Sequence, residues 1–226
     1  MEADAVIIGA GVLGSSVALG LTERSFGRVV VIDADLGGKL ASSTLNVGGV
    51  RATWWWPINI ELSLRSLEYF WTIRDEIAYR RLGYLWMYDE ERWPRACEAI
   101  SRQNDYGLGV QRLTPDEVMG RVREMDSIAG IAGATFSPLD GLVDSVQIKQ
   151  HYQRRARAMG AEFLDRWFVT SISRDVDGWV IKGRRIERSS QIDEYLIAEP
   201  ADGKETLSIK SRVLINAAGP WAARIA

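Results

Sequence analysis

The stretch from Asp4 to Gly14, followed by Val29 to Asp33, constrains the fold more than any other part of the chain. Val6-Ile7-Ile8 is a short apolar run suited to a buried parallel strand, and Val29 to Ile32 supplies a second. Between them Gly9, Gly11 and Gly14 form G-x-G-x-x-G where strand should pass into helix. Gly9 permits the tight turn, Gly11 lets backbone N–H groups approach a pyrophosphate, and Gly14 lets the helix pack close to the strand. The helix that opens there aims its positive end at the phosphates. Asp33 stands at the tip of the second strand, about 20 residues beyond Gly14, where a carboxylate accepts the hydroxyl protons of an adenosine ribose. An acid at that tip disfavours a 2′-phosphate, so NADP is the least suitable ligand. Strand, turn, helix, strand and acid occur in the required order, which favours a dinucleotide-binding βαβ unit over a mere glycine-rich turn. Val6 to Leu21 is apolar enough to suggest a secretory leader, but Glu2 and Asp4 stand where a leader needs positive charge.

A chain of 226 residues holds one large domain or two small ones. Its net charge of −2 gives no general basic field for nucleic acid, and the local cluster Arg154, Arg155 and Arg157 reads as a solvated helix face. No apolar stretch reaches the roughly 18 residues of a membrane span. A single cysteine, Cys97, excludes an intramolecular disulfide, and a single histidine, His151, leaves no zinc ligand set; no metal is expected, and His151 is read as structural. These features suit a cytoplasmic protein. Trp54-Trp55-Trp56 needs a wall to pack on or a ligand to cover it.

Further along, Leu36 to Thr44 is a glycine- and hydroxyl-rich loop, and Asn46 to Arg51 contains a second glycine pair, Gly48-Gly49. Apolar residues at helical spacing predict a long helix over 58–79. A strand is expected at Tyr84 to Tyr88, a helix at Trp93 to Tyr106 and a helix start at Thr114-Pro115-Asp116-Glu117. Gly133 to Pro138 reads as a strand, Asp140-Gly141 as a turn and Ser145 to Gly160 as a helix. From Ala161 to Ile209 the pattern becomes a β-meander with turns at Asp177-Gly178 and Asp202-Gly203. Arg212 to Asn216 returns to a buried parallel-type strand, ending in Asn216-Ala217-Ala218-Gly219-Pro220-Trp221.

Taken in order, the Gly9-to-Gly14 fingerprint with its acid, Ala41-Ser42-Ser43 with Gly48-Gly49-Val50-Arg51, Asp140-Gly141-Leu142-Val143-Asp144, and Val213 to Trp221 resemble the D-amino-acid oxidase (DAO) superfamily of FAD-dependent oxidoreductases. Within it the resemblance is to the branch of sarcosine oxidase, glycine oxidase and dimethylglycine dehydrogenase, and the stretch from Gly48 to Leu64 looks most like the FOXRED-type group. The implied fold is α/β: a Rossmann-like FAD-binding domain with a β-meander over 1–80 and 142–226, plus part of a mixed-sheet substrate domain over 81–141. By resemblance, Gly9, Ala10, Gly11, Val12, Leu13 and Gly14 hold the pyrophosphate of FAD and Asp33 the adenosine ribose, and Ala34 is a further cofactor-binding residue. Ser42, Ser43 and Thr44 would bond phosphate or ribityl oxygens. Gly48 and Gly49 would bring backbone near the isoalloxazine, and Arg51 would sit near its pyrimidine or the substrate carboxylate. Val169 resembles the position whose backbone pairs with adenine, and Ala217, Ala218, Gly219 and Trp221 close a strand end against the cofactor.

The chemistry so implied is hydride removal from the carbon beside an amine nitrogen of an amino acid or N-methylated amine of the sarcosine, glycine or dimethylglycine kind. The imine product is hydrolysed by water, and the electrons pass through FAD to oxygen or another acceptor. Arg51 is the one candidate catalytic residue, since a guanidinium can stabilise a reduced flavin or hold a carboxylate. Family members continue well past the equivalent of Trp221, so the sequence is expected to be an N-terminal portion, with self-association or a complementary C-terminal half as its partner. A flavin-binding assembly factor, a non-catalytic fragment and an NAD-linked dehydrogenase remain as alternatives.

Overall fold

The structure is a computed structural model that describes residues 1–38, 41–186 and 205–225. In chain order its strands are β1 (Glu2–Ile8), β2 (Val29–Asp33), β3 (Gly49–Val50), β4 (Tyr84–Tyr88), β5 (Gln111–Leu113), β6 (Gly133–Ser137), β7 (Gly141–Leu142), β8 (Glu162–Asp165), β9 (Trp167–Asp175), β10 (Gly178–Arg185) and β11 (Thr206–Asn216). The helices are α1 (Val12–Glu23), α2 (Ser42–Leu45), α3 (Pro57–Thr72), α4 (Trp93–Asp105), α5 (Pro115–Arg121), α6 (Ser145–Ala158) and α7 (Ala222–Ile225). Contacts divide the chain into two units, one of Met1–Asn46 with Ser145–Ala226, the other of Val47–Asp144.

The first unit is built on a six-stranded mixed sheet in the order β8-β2-β1-β11-β10-β9. β1 is parallel to both neighbours, with Ala5 opposite Val29 on one side and Val213 on the other. Both faces of these strands are buried, which explains their unbroken apolar runs. Ala5, Ile7, Val29 and Val31 pack with Ala18 and Leu19 of α1 and Ala156 of α6. Val6, Ile8, Val30 and Ile32 face the other way, onto Ile181 and Ile209. The α/β, Rossmann-like class read from the sequence is the class observed.

Two details of the expected meander differ. β8 does not begin it: α6 carries the chain across the sheet, so β8 lies at the far edge, parallel to β2, with Val31 opposite Phe163. The separate strands expected to end at Ile209 and begin at Arg212 are one strand, because nothing between them turns the chain. β11 runs antiparallel to β10 over Thr206 to Ser211 and parallel to β1 over Lys210 to Asn216. The turn at Asp177-Gly178 joins β9 to β10 as expected, whereas Asp202-Gly203 lies outside the described residues.

The second unit has an antiparallel sheet in the order β4-β6-β5 and a two-residue ladder, β3 with β7. α5 opens on the expected capping box: Glu117 N–H donates to the Thr114 hydroxyl at 3.3 Å, and Thr114 N–H donates to the Glu117 carboxylate at 2.7 Å. The helix expected to reach residue 79 stops at Thr72, and 73–78 form turns. Ala78 has φ of +49°, outside helical space, and the turn brings Arg80 opposite Leu142, with backbone bonds of 2.9 and 3.0 Å between them. That bridge and the β3–β7 ladder tie 47–80 and 142–144 to the second unit, so the division falls at 46/47 and 144/145 where the sequence suggested 80/81 and 141/142.

Helix α1 supplies a paired prediction. A methyl on Gly14 would collide with the Gly9 carbonyl oxygen, whereas one on Gly20 meets nothing closer than the Arg24 guanidinium at 3.5 Å. Gly20→Ala should raise stability by about 0.4–1 kcal/mol. Gly14→Ala should lower it despite the same gain in helix propensity, as read by urea denaturation of the two variants.

Candidate functional site

In the first unit the carboxyl ends of β2, β1 and β11 meet. Gly9 N–H donates to the Ile32 carbonyl and Ala217 N–H to the Ile8 carbonyl, both at 2.8 Å. Gly9 has φ of +101°, and any Cβ there would strike the Ala217 carbonyl oxygen. α1 therefore begins directly above three strand ends, at the edge of an open sheet where such folds place their ligands.

Gly11 occupies the N-cap of α1 and has no side chain with which to cap it. A Cβ on Gly11 would find only the Ser43 hydroxyl, at 3.4 Å, which also accepts from Val12 N–H at 3.4 Å. Leu13 beside it is 72% exposed. The first turn of the helix thus presents N–H groups to open space, with the small hydroxyl side chains of α2 next to it. These are the features that suit a dinucleotide pyrophosphate.

Ala10 is held in place from several directions. Its carbonyl accepts from the Ser15 hydroxyl at 2.9 Å and from Gln153 Nε2 at 3.0 Å, and its N–H donates to the Asp33 carboxylate. The other Asp33 oxygen accepts from Asp35 N–H at 2.7 Å. Burial pushes the Asp33 pKa up, the two backbone donors oppose that shift, and the carboxylates of Asp35 and Asp165 add to it. Each oxygen keeps acceptor capacity beyond its one backbone bond, as a ribose diol requires.

The other candidates of this unit lie around the same strand ends. Ala34 follows Asp33; Ser42, Ser43 and Thr44 form α2, with Ser43 buried. Ala217 packs in one apolar cluster with Ala10, and Ala218 in the opposite one with Ile8, Ile32 and Val169. Val169 pairs with Gly183 beside a register shift in β9–β10. Gly219, at φ of +55°, starts a short 3₁₀ turn that ends at Trp221. Lys149 and Gln153 are buried here as well and were not singled out in the sequence. Their signal was a polar pair at i, i+4 with Ala156 on the same stripe, the face a sheet-packed helix should keep apolar. Arg154, Arg155 and Arg157 are exposed, as expected of a solvated face.

Gly48, Gly49 and Arg51 belong to the second unit. Gly48, at φ of +78°, lies against the Val143 carbonyl, and a Cβ on Gly49 would collide with the Tyr84 hydroxyl. Neighbours within the unit are therefore enough to require both glycines. The Arg51 guanidinium lies 4.9 Å from the Trp54 ring and 5.0 Å from the Trp86 ring, beside a cavity of about 280 Å³ lined also by Tyr88, Gln103 and Thr135. Fully buried Asp140 secures this loop, accepting from Ala52 N–H at 2.8 Å and the Thr53 hydroxyl at 3.0 Å. Burial raises the Asp140 pKa, while those donors and the Arg51 charge oppose the rise. Trp55 finds its wall in Arg95 and Arg102, whereas Trp56 stays 63% exposed.

A nucleotide-binding sheet of this build, with this strand-end glycine cradle, defines a flavin- or nicotinamide-linked class. The chain belongs to the FAD-dependent oxidoreductase (DAO) family, whose pattern it matches over residues 4–226. FAD is the cofactor of that family, and the cradle fits it. Among curated proteins the chain is similar to FAD-dependent oxidoreductase domain-containing protein 1 of Xenopus laevis, 27% identical over 100% of this chain and 48% of the relative. The Mus musculus protein of the same name is 28% identical over 100% of this chain and 49% of its own length. The chain thus spans about half the length of the curated relatives it matches. Among solved structures, L-proline dehydrogenase from P. horikoshii superposes with a TM-score of 0.79 at 22% identity, over 99% of this chain and 55% of that one. Glycine oxidase from Bacillus cereus gives 0.70 at 22% identity, over 99% and 57%. Among the described residues no helix is long and apolar enough to cross a membrane.

The raised Asp33 pKa has a definite sign in stability. Between its ordinary value and its raised value the folded state holds more protons than the unfolded state, so acidification through that window favours folding. Urea denaturation of the ligand-free protein should therefore show wild type gaining stability relative to Asp33→Asn as the pH falls from neutral, then levelling off. A relative loss on acidification would mean that Asp33 is held below the ordinary carboxylate range.

Proposed function

We infer that these residues bind FAD for an oxidoreductase that takes hydride from the carbon beside the nitrogen of an amino acid or N-methylated amine. The observation that supports it is the meeting of Gly9, Asp33 and Ala217 below the uncapped N-terminus of α1. Within this reading Gly9 to Gly14 and the hydroxyls of Ser42, Ser43 and Thr44 receive the pyrophosphate and neighbouring oxygens, and Asp33 with Ala34 the adenosine ribose. Val169 offers backbone to the adenine, and Ala217, Ala218, Gly219 and Trp221 bound the cofactor on the β11 side. FAD, when bound, supplies the electron acceptor for the hydride.

Arg51 is assigned the substrate carboxylate. The guanidinium carbon lies 4.9 Å from the Trp54 ring and 5.0 Å from the Trp86 ring, and a guanidinium held there by its aromatic neighbours can offer a carboxylate two parallel N–H bonds. Similarity to a proline dehydrogenase and a glycine oxidase at 22% identity concerns the fold, so the choice among amino acids and N-methylated amines rests on assay.

Two measurements test the reading. Cofactor released from the purified protein should run as FAD on chromatography; NAD without flavin would reject it. In the protein that carries these residues, Arg51→Met should lower kcat/KM for a carboxylate-bearing amine by about tenfold to 150-fold, the worth of a charge-assisted hydrogen bond. An amine without a carboxylate should be turned over equally by wild type and variant. Equal losses on both substrates would assign Arg51 to the flavin or to the fold.

A further inference from the structure

Lys149 is 2% exposed, among the largest side chains buried in the chain. Its ammonium donates to the Gly37 carbonyl at 2.9 Å and to the Thr44 hydroxyl at 3.3 Å. One side chain on α6 thus spans the loop after β2 and helix α2. The loop is moulded to the group: Gly38 has φ of +72°, and a Cβ there would collide with Nζ. Burying an ammonium on two neutral acceptors is costly, and a methionine of similar length would fill the space without that cost. The carboxylates nearby supply the missing reason. Asp33 ends β2 and Asp35 follows it, and both act on Lys149.

We propose that Lys149 is a positioning residue of the cofactor site, a buried counter-charge that holds the Asp35–Gly38 loop to α2 and balances the anions gathered there when FAD binds. The proposal rests on the assignment of FAD to the α1 cradle. Without a ligand the site already places two carboxylates beside the turn that would receive a pyrophosphate. A dinucleotide adds two further negative charges, which a fixed cation offsets from beneath the loop. The same strut sets the height of Thr44 and, through α2, of Ser43, whose hydroxyl stands against Val12 N–H.

Burial lowers the Lys149 pKa, and Asp33 and Asp35 partly restore it. Other titratable groups on the neighbouring strand and on α6 have partners of their own. Asp165 of β8 accepts from Leu36 N–H at 2.9 Å, Arg155 of α6 pairs with Glu23 of α1 at 3.6 Å, and buried His151 stacks edge-on against Tyr152. A lowered lysine pKa means that the unfolded chain holds the proton at a pH where the folded chain has released it. Ligand-free stability contributed by this group therefore rises with pH. FAD affinity should move the opposite way and weaken as the pH rises through the Lys149 pKa. A purely structural lysine would not separate the two.

The test is FAD binding to the full chain, followed by flavin fluorescence, together with thermal denaturation of the ligand-free protein. Lys149→Met should leave the melting temperature near that of wild type and weaken FAD binding by about tenfold or more. Lys149→Gln, which keeps a donor and loses the charge, should bind as weakly as Lys149→Met, and neither should show the alkaline fall in affinity seen with wild type. Unchanged affinity in Lys149→Met, wild-type affinity in Lys149→Gln, or a wild-type affinity that is flat from neutral to alkaline pH would each overturn the proposal. If the variants do not fold, the wild-type pH profile decides by the same criterion. A wild-type chain that takes up no FAD at any pH would overturn the site assignment itself, and this inference with it.

Discussion

Everything in the first unit depends on the passage of Gly9 between Ile32 and Ala217. Its N–H closes onto β2, its α-carbon lies against the carbonyl that ends β11, and its positive φ turns the chain straight into α1. A side chain here would push β11 away from β1 and lift the helix off the sheet. With no side chain on Gly9, three strand ends and a helix N-terminus share one small volume, where backbone groups meet the Asp33 carboxylate and the Ser43 hydroxyl. Gly14 repeats the constraint one turn later against the Gly9 carbonyl, and the small residues Ala217 and Ala218 extend it to the neighbouring strand. Packing density and ligand access therefore require the same residues, so a substitution that disturbs one disturbs the other.

Three ionisable groups with shifted pKa values lie at, or reach into, the places where strands hand over to loops and helices. Asp33 closes β2, Asp140 immediately precedes β7, and Lys149 reaches from α6 into a loop. In a strand interior each would compete with the sheet for backbone partners. At these ends, N–H and C=O groups outside the ladder await partners, and a carboxylate or ammonium satisfies them. The cost of desolvation is then offset locally, by Ala10 and Asp35 for Asp33 and by Ala52 and Thr53 for Asp140. Groups held this way have shifted pKa values and fixed geometry together, the combination that marks sites able to bind or react.

The first unit was legible in the sequence because its determinants are local and carried by residue types with few substitutes. Gly9, Gly11, Gly14 and Asp33 stand at spacings set by backbone geometry, and two Val/Ile-rich runs flank them. The fate of β8 and β11 was less legible, since pairing depends on which distant strand is adjacent and not on the strand's own composition. Ala161 to Asp165 carries no mark of parallel pairing; α6 decides it by crossing the sheet. The end of α3 was hidden for a similar reason. Residues 73–78 keep a helical apolar rhythm, and only the distant partner Leu142 makes the turn at Ala78 necessary. Lys149 and Gln153 were legible in principle, as polar residues on a stripe that should be apolar, but a helix with this many charged residues masks such an exception.

The two units are specified by different physics, and that difference bears on what each can recognise. A dinucleotide brings the same phosphates and ribose to every protein that binds it, so main-chain N–H groups, one carboxylate and a few hydroxyls suffice. Those demands appear as glycines and an acid at fixed intervals. The cavity beside Arg51 is made of side chains drawn from far apart: Trp54 from the loop before α3, Trp86 from β4, Gln103 from α4 and Thr135 from β6. Its shape depends on where those indoles and the guanidinium lie, and Asp140, bonded to Ala52 N–H, helps set where Arg51 starts. Exchanging one wall residue would alter the cavity without touching the fold, whereas exchanging Gly9 would alter the fold first. Side-chain variation can therefore accumulate around the cavity of the second unit while the glycine cradle of the first stays fixed.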